Sequence, residues 1–223
     1  MGKVIELDYR EKTDTTGEVM EPVNYMNKSD SDIRIYSIDD FDEMPEEPRY
    51  ELQDGVLITM EAPLIIHQRV VTEFATQVGM YIRRNKGKCT PLVSPVAVQP
   101  DLSDEHTLFQ PDFIVVCDPD KLTDGRHVRG GPDWVVEVLS ESTRKRDMTI
   151  KRDAYKKAGV REYWMVDIEG EVVIIYDFTR PDVSFVKDMR KPIPVGIFDG
   201  ELSIELGSIL EPGDELRIQL TRG

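Results

Sequence analysis

Asp133-Trp134-Val135-Val136-Glu137-Val138-Leu139-Ser140 is the stretch that decides how this chain folds. Five apolar residues lie in a row of six, without the alternation that marks a strand wet on one side. Such a run predicts a strand covered on both faces. Pro111-Asp112-Phe113-Ile114-Val115-Val116-Cys117 repeats the pattern. Each run admits one acid: Asp112 opens the second, and Glu137 interrupts the first. A carboxylate inside a buried strand is costly unless it is paired or bound to a cation, so these two residues draw the chemistry to the same strands that draw the fold.

Working outward, Leu92–Val98 predicts another strand. Between His67 and about Asn85, the residues Val70, Val71, Phe74, Val78, Tyr81 and Ile82 recur at helical spacing, and Gly87 stops the helix. A second helix is expected from a Ser142 or Thr143 cap to about Ala158, with Gly159 as its stop. Tyr50–Met60 reads as a hairpin turning at Asp54-Gly55. Glu162–Asp167 and Glu171–Asp177 predict another, with an edge strand at 184–187. The order implies a mixed α/β (α+β) fold with helices on a central mixed sheet. The 223 residues suit one domain with an arm. Residues 1–40 are expected to be an acidic N-terminal arm with a short strand at Ile33–Ile38, and 41–223 the folded domain. Residues 1–49 hold 6 Lys/Arg against 14 Asp/Glu, a balance of −8. The arm is a candidate for wrapping a second subunit in a homodimer.

Composition narrows the function. No apolar run approaches the roughly 20 residues that span a bilayer, and charges stand where a signal peptide would be apolar; no membrane partner and a cytoplasmic location are expected. Cys89 and Cys117 have no metal-site spacing and are expected to be reduced. No HExxH pattern or phosphate-binding glycine loop occurs, and Ser140 lacks the G-x-S-x-G setting. The net charge of −15 opposes nucleic-acid binding. Residues 141–157 run the other way, with 7 basic against 3 acidic residues.

Two carboxylates on adjacent strands suit Mg²⁺ (or Mn²⁺), since a hard cation takes oxygen ligands and keeps several waters. Such an ion activates water and stabilises charge at a phosphate. The alternative is a Glu137 paired with a lysine or arginine in the core. Asp147, Lys151 and Tyr155 are spaced i, i+4, i+8 and share one helix face. If that helix packs beside the strand holding Glu137, Lys151 can reach the same pocket; an Asp147–Lys151 surface pair is the plainer reading. Arg144, Lys145 and Arg146 are candidates for contacting a phosphate backbone, though a solvated face is the default for such a run. Glu51, at the start of a strand, is a weaker supporting candidate.

These residues carry a resemblance. Pro111-Asp112, Val136-Glu137-Val138-Leu139-Ser140-Glu141-Ser142-Thr143-Arg144, Asp147, Lys151, Tyr155 and Gly159-Val160-Arg161-Glu162-Tyr163-Trp164-Met165-Val166-Asp167 resemble the bacterial family of putative restriction endonucleases, formerly a domain of unknown function. Tyr50-Glu51, His67 and Ile174-Ile175-Tyr176 also fit, so the resemblance spans roughly residues 40–210. It implies a restriction-endonuclease-like core of the PD-(D/E)XK superfamily and a DNA substrate. That superfamily places a lysine two residues after the glutamate, where this chain has Leu139; the resemblance carries the lysine onto Lys151. A metal-dependent endonuclease is the leading expectation. The alternatives are a non-catalytic binding or scaffold protein that keeps the fold, and a hydrolase of small phosphate esters.

Overall fold

A computed structural model describes residues 34–45, 47–180 and 183–210. The chain divides into two compact units, a small one within 1–61 and 105–107 and a large one from 62–104 and 108–223.

In the small unit, α1 (Ile38–Asp42) is capped by Ser37, whose side chain accepts from the Asp40 amide while Asp40 returns the bond to the Ser37 amide. The strand expected over Ile33–Ile38 is therefore a cap and a short helix where it is described. Tyr36 is buried, and its amide donates to the Gly55 carbonyl at 2.9 Å. β1 (Tyr50–Gln53) and β2 (Val56–Thr59) form the expected hairpin, with Asp54 and Gly55 both at positive φ in its turn. Of the expected arm over residues 1–40, residues 1–33 lie outside the described residues.

The large unit starts with α2 (Ile65–Arg84), whose buried face is Ile66, Val70, Val71, Phe74, Val78 and Ile82. The strands that follow are β3 (Thr90–Val93), β4 (Ala97–Gln99), β5 (Phe113–Val116), β6 (His127–Arg129) and β7 (Trp134–Val138). After β7 the chain forms α3 (Arg144–Arg146), a π-helical turn over Asp147–Lys151, and α4 (Arg152–Lys157). β8 (Glu162–Asp167), β9 (Val172–Asp177) and β10 (Val183–Asp188) complete the main sheet, and β11 (Ile193–Pro194) pairs with β12 (Ser203–Ile204).

The main sheet has six strands in the order β10-β9-β8-β7-β5-β3. Only β7 and β8 run parallel, as a helical crossover between them allows. Leu92–Val98 is not one strand: the chain breaks at Ser94-Pro95, and β4 leaves the sheet to pair in parallel with β6. Proline has no amide to donate to a ladder, which makes that position a natural break.

Side chains alternate across the sheet, and each face has its own core. One face carries Phe113, Val115, Trp134, Val136, Val138 and Trp164 against α2. Phe74 of α2 meets Phe113, Trp134 and Trp164 at 5.7, 5.7 and 5.9 Å between ring centroids. The other face carries Ile114, Val116, Val135, Leu139, Tyr163 and Met165, covered by Tyr155 and Val160. Cys89 and Cys117 are joined by a disulfide, contrary to the reduced pair expected. Thr90 pairs with Val116, so the same register sets the two cysteines opposite each other.

Candidate active site

β5 and β7 run antiparallel with Phe113 opposite Val136. One step further along that register, Asp112 stands opposite Glu137 at the end of the ladder. Glu137 has the parity of Val135 and Leu139, so it lies on the face covered by the crossover. Asp112 precedes β5 and is met from α2, by His67.

Asp112 sits at the mouth of β5, its side chain 16% exposed. Its Oδ2 accepts the Val138 amide at 2.7 Å, and His67 Nε2 lies 3.1 Å from the same oxygen. Glu137 is almost fully buried, and its Oε1 accepts from Lys151 Nζ at 2.9 Å. Lys151 Nζ also lies 3.5 Å from Asp147 Oδ1, and the ammonium sits 5.8 Å from the centroid of the Phe109 ring. The π-helical turn brings this about: it begins at Asp147 and ends at Lys151, and both are buried, unlike most helical lysines and aspartates. A π turn accommodates an extra residue in a helix and recurs at functional sites.

Tyr155 is fully buried one turn beyond Lys151, packed edge-on against Phe109 at 5.7 Å. Tyr163 donates its hydroxyl to the Asp147 carbonyl at 3.0 Å. Burial, and then the charges of Glu137 and Asp147, push the Tyr163 phenol well above its ordinary pKa. That tyrosine therefore stays a neutral donor and fixes the start of the π turn.

Asp112, Glu137, Asp147, Lys151 and Tyr155 all belong to the large unit. Glu51 lies in β1 of the small unit, fully buried and opposite Ile58. Arg144 forms a two-pronged pair with Asp167, at 2.8 and 2.9 Å. Its guanidinium is thus engaged within the fold, and Asp167 is held below the usual carboxylate range by that arginine. Lys145 is exposed and Arg146 half-buried.

His67 stood in the sequence as the start of a helix and as one residue of the family resemblance; by itself a lone histidine carries no spacing signal. The Val138 amide is a backbone group and has no sequence signature at all. Among the described residues, no three or more His, Cys, Asp or Glu side chains are grouped to hold a metal. Asp112 and Glu137 alone could serve only a cation that keeps much of its water, as Mg²⁺ does, and not one that needs a closed cage of protein ligands. No helix among the described residues is long and apolar enough to cross a membrane.

Comparison with known proteins agrees with this architecture. The crystal structure of a putative nuclease belonging to DUF820, from Anabaena variabilis ATCC 29413, superposes with a TM-score of 0.64 at 21% identity. The match covers 78% of this chain and 99% of that one, and at this identity it is a likeness of fold. No curated protein matches the chain. The family model Uma2, described as putative restriction endonuclease, matches residues 38–181, which include Asp112, Glu137 and Lys151, and the chain belongs to that family.

Proposed function

We propose that the chain is a divalent-metal-dependent endonuclease that hydrolyses phosphodiester bonds in DNA. One observation carries this reading: a buried lysine from the crossover reaches Glu137 at 2.9 Å, on the strand next to the one that Asp112 opens. Asp112 and Glu137 would hold Mg²⁺ or Mn²⁺. When bound, such an ion supplies charge stabilisation at the scissile phosphate and lowers the pKa of water.

The chain's own residues do the rest. The Val138 amide and His67 both address Oδ2 of Asp112, which fixes that carboxylate. Lys151 brings a positive charge to where negative charge grows on the phosphoryl oxygens, and its ammonium can orient the attacking water. Burial of Lys151 among Glu137, Asp147 and Phe109 keeps it preorganised. Asp147 is the second carboxylate beside that ammonium, and Tyr155 packs the helix that carries it.

The test is plasmid nicking at fixed ionic strength with Mg²⁺ or Mn²⁺. Asp112→Ala and Glu137→Ala should each abolish cleavage, because one remaining carboxylate binds Mg²⁺ poorly. Lys151→Ala should lower turnover more than DNA binding, and Lys151→Arg should not restore it, because a planar guanidinium does not replace a compact ammonium. Cleavage that survives unchanged in Glu137→Ala would overturn the assignment. A second reading, a binding protein that retains the fold, is favoured by Leu139: the usual lysine slot is filled by a residue packed in the core. On that reading the wild type binds DNA but never nicks it.

A further inference from the structure

A groove of about 440 Å³ runs from Asp112 along one side of α2 to Arg83, its polar lining contributed by Gln68, Thr72, Thr76 and Ser94. β3 is an edge strand of the sheet and supplies Val93 to the groove's other wall. From Gln68 to Arg83 the helix rises about 22 Å at 1.5 Å per residue.

The charge of this region runs against that of the molecule. Residues 62–100 hold 5 Lys/Arg against 1 Asp/Glu in a chain of net charge −15. Four of the five, Arg83, Arg84, Lys86 and Lys88, lie close together in the chain and are exposed; Arg83 lines the far end of the groove, and the other three follow it in sequence. None of them makes an ion pair with a described residue. Four of the seven cations of the crossover differ: Arg144 is paired with Asp167, Lys151 with Glu137, Arg152 with Asp153 and Lys157 with Asp101. The partial negative charge at the end of α2 accounts for Arg83 and Arg84 in its last turn. It does not account for Lys86 and Lys88, which lie beyond the helix.

We propose that this groove takes the sugar-phosphate backbone of a DNA strand, with Arg83, Arg84, Lys86 and Lys88 clamping phosphates at the end distant from Asp112. The proposal rests on the nuclease reading only for which end receives the scissile phosphate. The hydroxyl and amide groups of Thr72, Thr76 and Gln68 supply sequence-independent contacts along the way, of the kind that positions a duplex without reading it. Gly79 forms part of the floor, and a Cβ there would meet no atom within 4 Å, so the space above it is open.

The experiment measures binding of a fluorescein-labelled 20-base-pair duplex by anisotropy, in EDTA, across about 50–200 mM salt. Replacing Arg83, Arg84, Lys86 and Lys88 together by Ala should weaken binding at least tenfold at the lowest salt. It should also flatten the slope of log K against log salt by about 0.9 for each phosphate that is no longer neutralised. Single Arg83→Ala and Lys88→Ala variants, on exposed positions, should each flatten it by about one. Lys187→Ala, on the edge strand β10, should leave affinity and slope as in the wild type. Gly79→Trp, which changes no charge, should weaken binding by filling the groove. Wild-type affinity and slope in the fourfold variant would overturn the proposal, and so would wild-type binding by Gly79→Trp. Nicking read in parallel separates the two readings. A wild type that binds through the cluster but never nicks keeps the groove and removes catalysis; a fourfold variant that binds and nicks like the wild type removes the groove and keeps catalysis.

Discussion

Replacing Lys151 tests two properties at once, because the same ammonium neutralises Glu137 and faces the site. Taking the lysine out of a buried ion pair leaves its carboxylate in a medium that solvates it poorly. Lys151→Met keeps most of the stem but not the charge. It should cost about 3–5 kcal/mol in urea denaturation at neutral pH. A divalent ion at a hundred times its Kd should return about 2.7 kcal/mol; an unchanged midpoint with metal would mean that the carboxylates do not hold it. Arg144 and Asp167 give a pH-dependent counterpart. Asp167 is held below its ordinary pKa of 3.8 by Arg144 in the folded state, so its stabilisation is present above that value and is lost as pH falls through the lower folded one. Arg144→Ala should therefore be less stable than the wild type by about 1 kcal/mol at neutral pH. The gap should close below about pH 4, which denaturation midpoints measured across pH will show.

At the scale of elements, α2 serves the core with one side and the groove with another. Phe74 is its anchor, packed against three aromatic rings of the sheet. Phe74→Ala should cost about 3–5 kcal/mol, measured by denaturation. The π turn is a second element-scale device. Deleting Thr149 removes the extra residue and turns Lys151 about the helix relative to Asp147, by roughly 100° for one residue. Nicking should disappear while the sheet's circular dichroism persists. Much of this level was legible in the sequence. The apolar runs gave β5 and β7, and the acids within them, Asp112 and Glu137, stood out because nothing else in those strands is charged. The periodicity of Val70, Phe74 and Val78 gave α2. What escaped was set by pairing across the chain. The partners of Arg144 and Lys157 are Asp167 and Asp101, so a basic density counted along residues 141–157 overstated the free charge there. The Cys89–Cys117 bond depends on the β3–β5 register, and β6 is three residues long and too polar to show a pattern. The π turn is a backbone feature with no residue type to announce it.

For the molecule as a whole, a net charge of −15 and a local basic groove act at different ranges. Long-range repulsion of DNA extends about 30 Å at 0.01 M salt and about 10 Å at 0.1 M. Charge pairing within the groove weakens steadily as salt rises. The association rate with DNA should therefore increase between about 10 and 100 mM salt, while the dissociation rate also increases. Stopped-flow anisotropy reads both; an association rate that falls throughout would show that the groove's field governs the approach as well as the bound state.

The lysine beside Glu137 does not come from the strand that carries Glu137. Position 139 is left to leucine, which packs in the core, and the cation arrives on a crossover that docks only when its own face is buried. A chain whose sheet has formed but whose crossover is still loose has both acids and no ammonium between them. Competence to cut and completion of folding then arrive in a single event. If the proposed cleavage of DNA is this chain's activity, this amounts to a safety interlock, in which half-made copies in the course of synthesis are harmless bystanders.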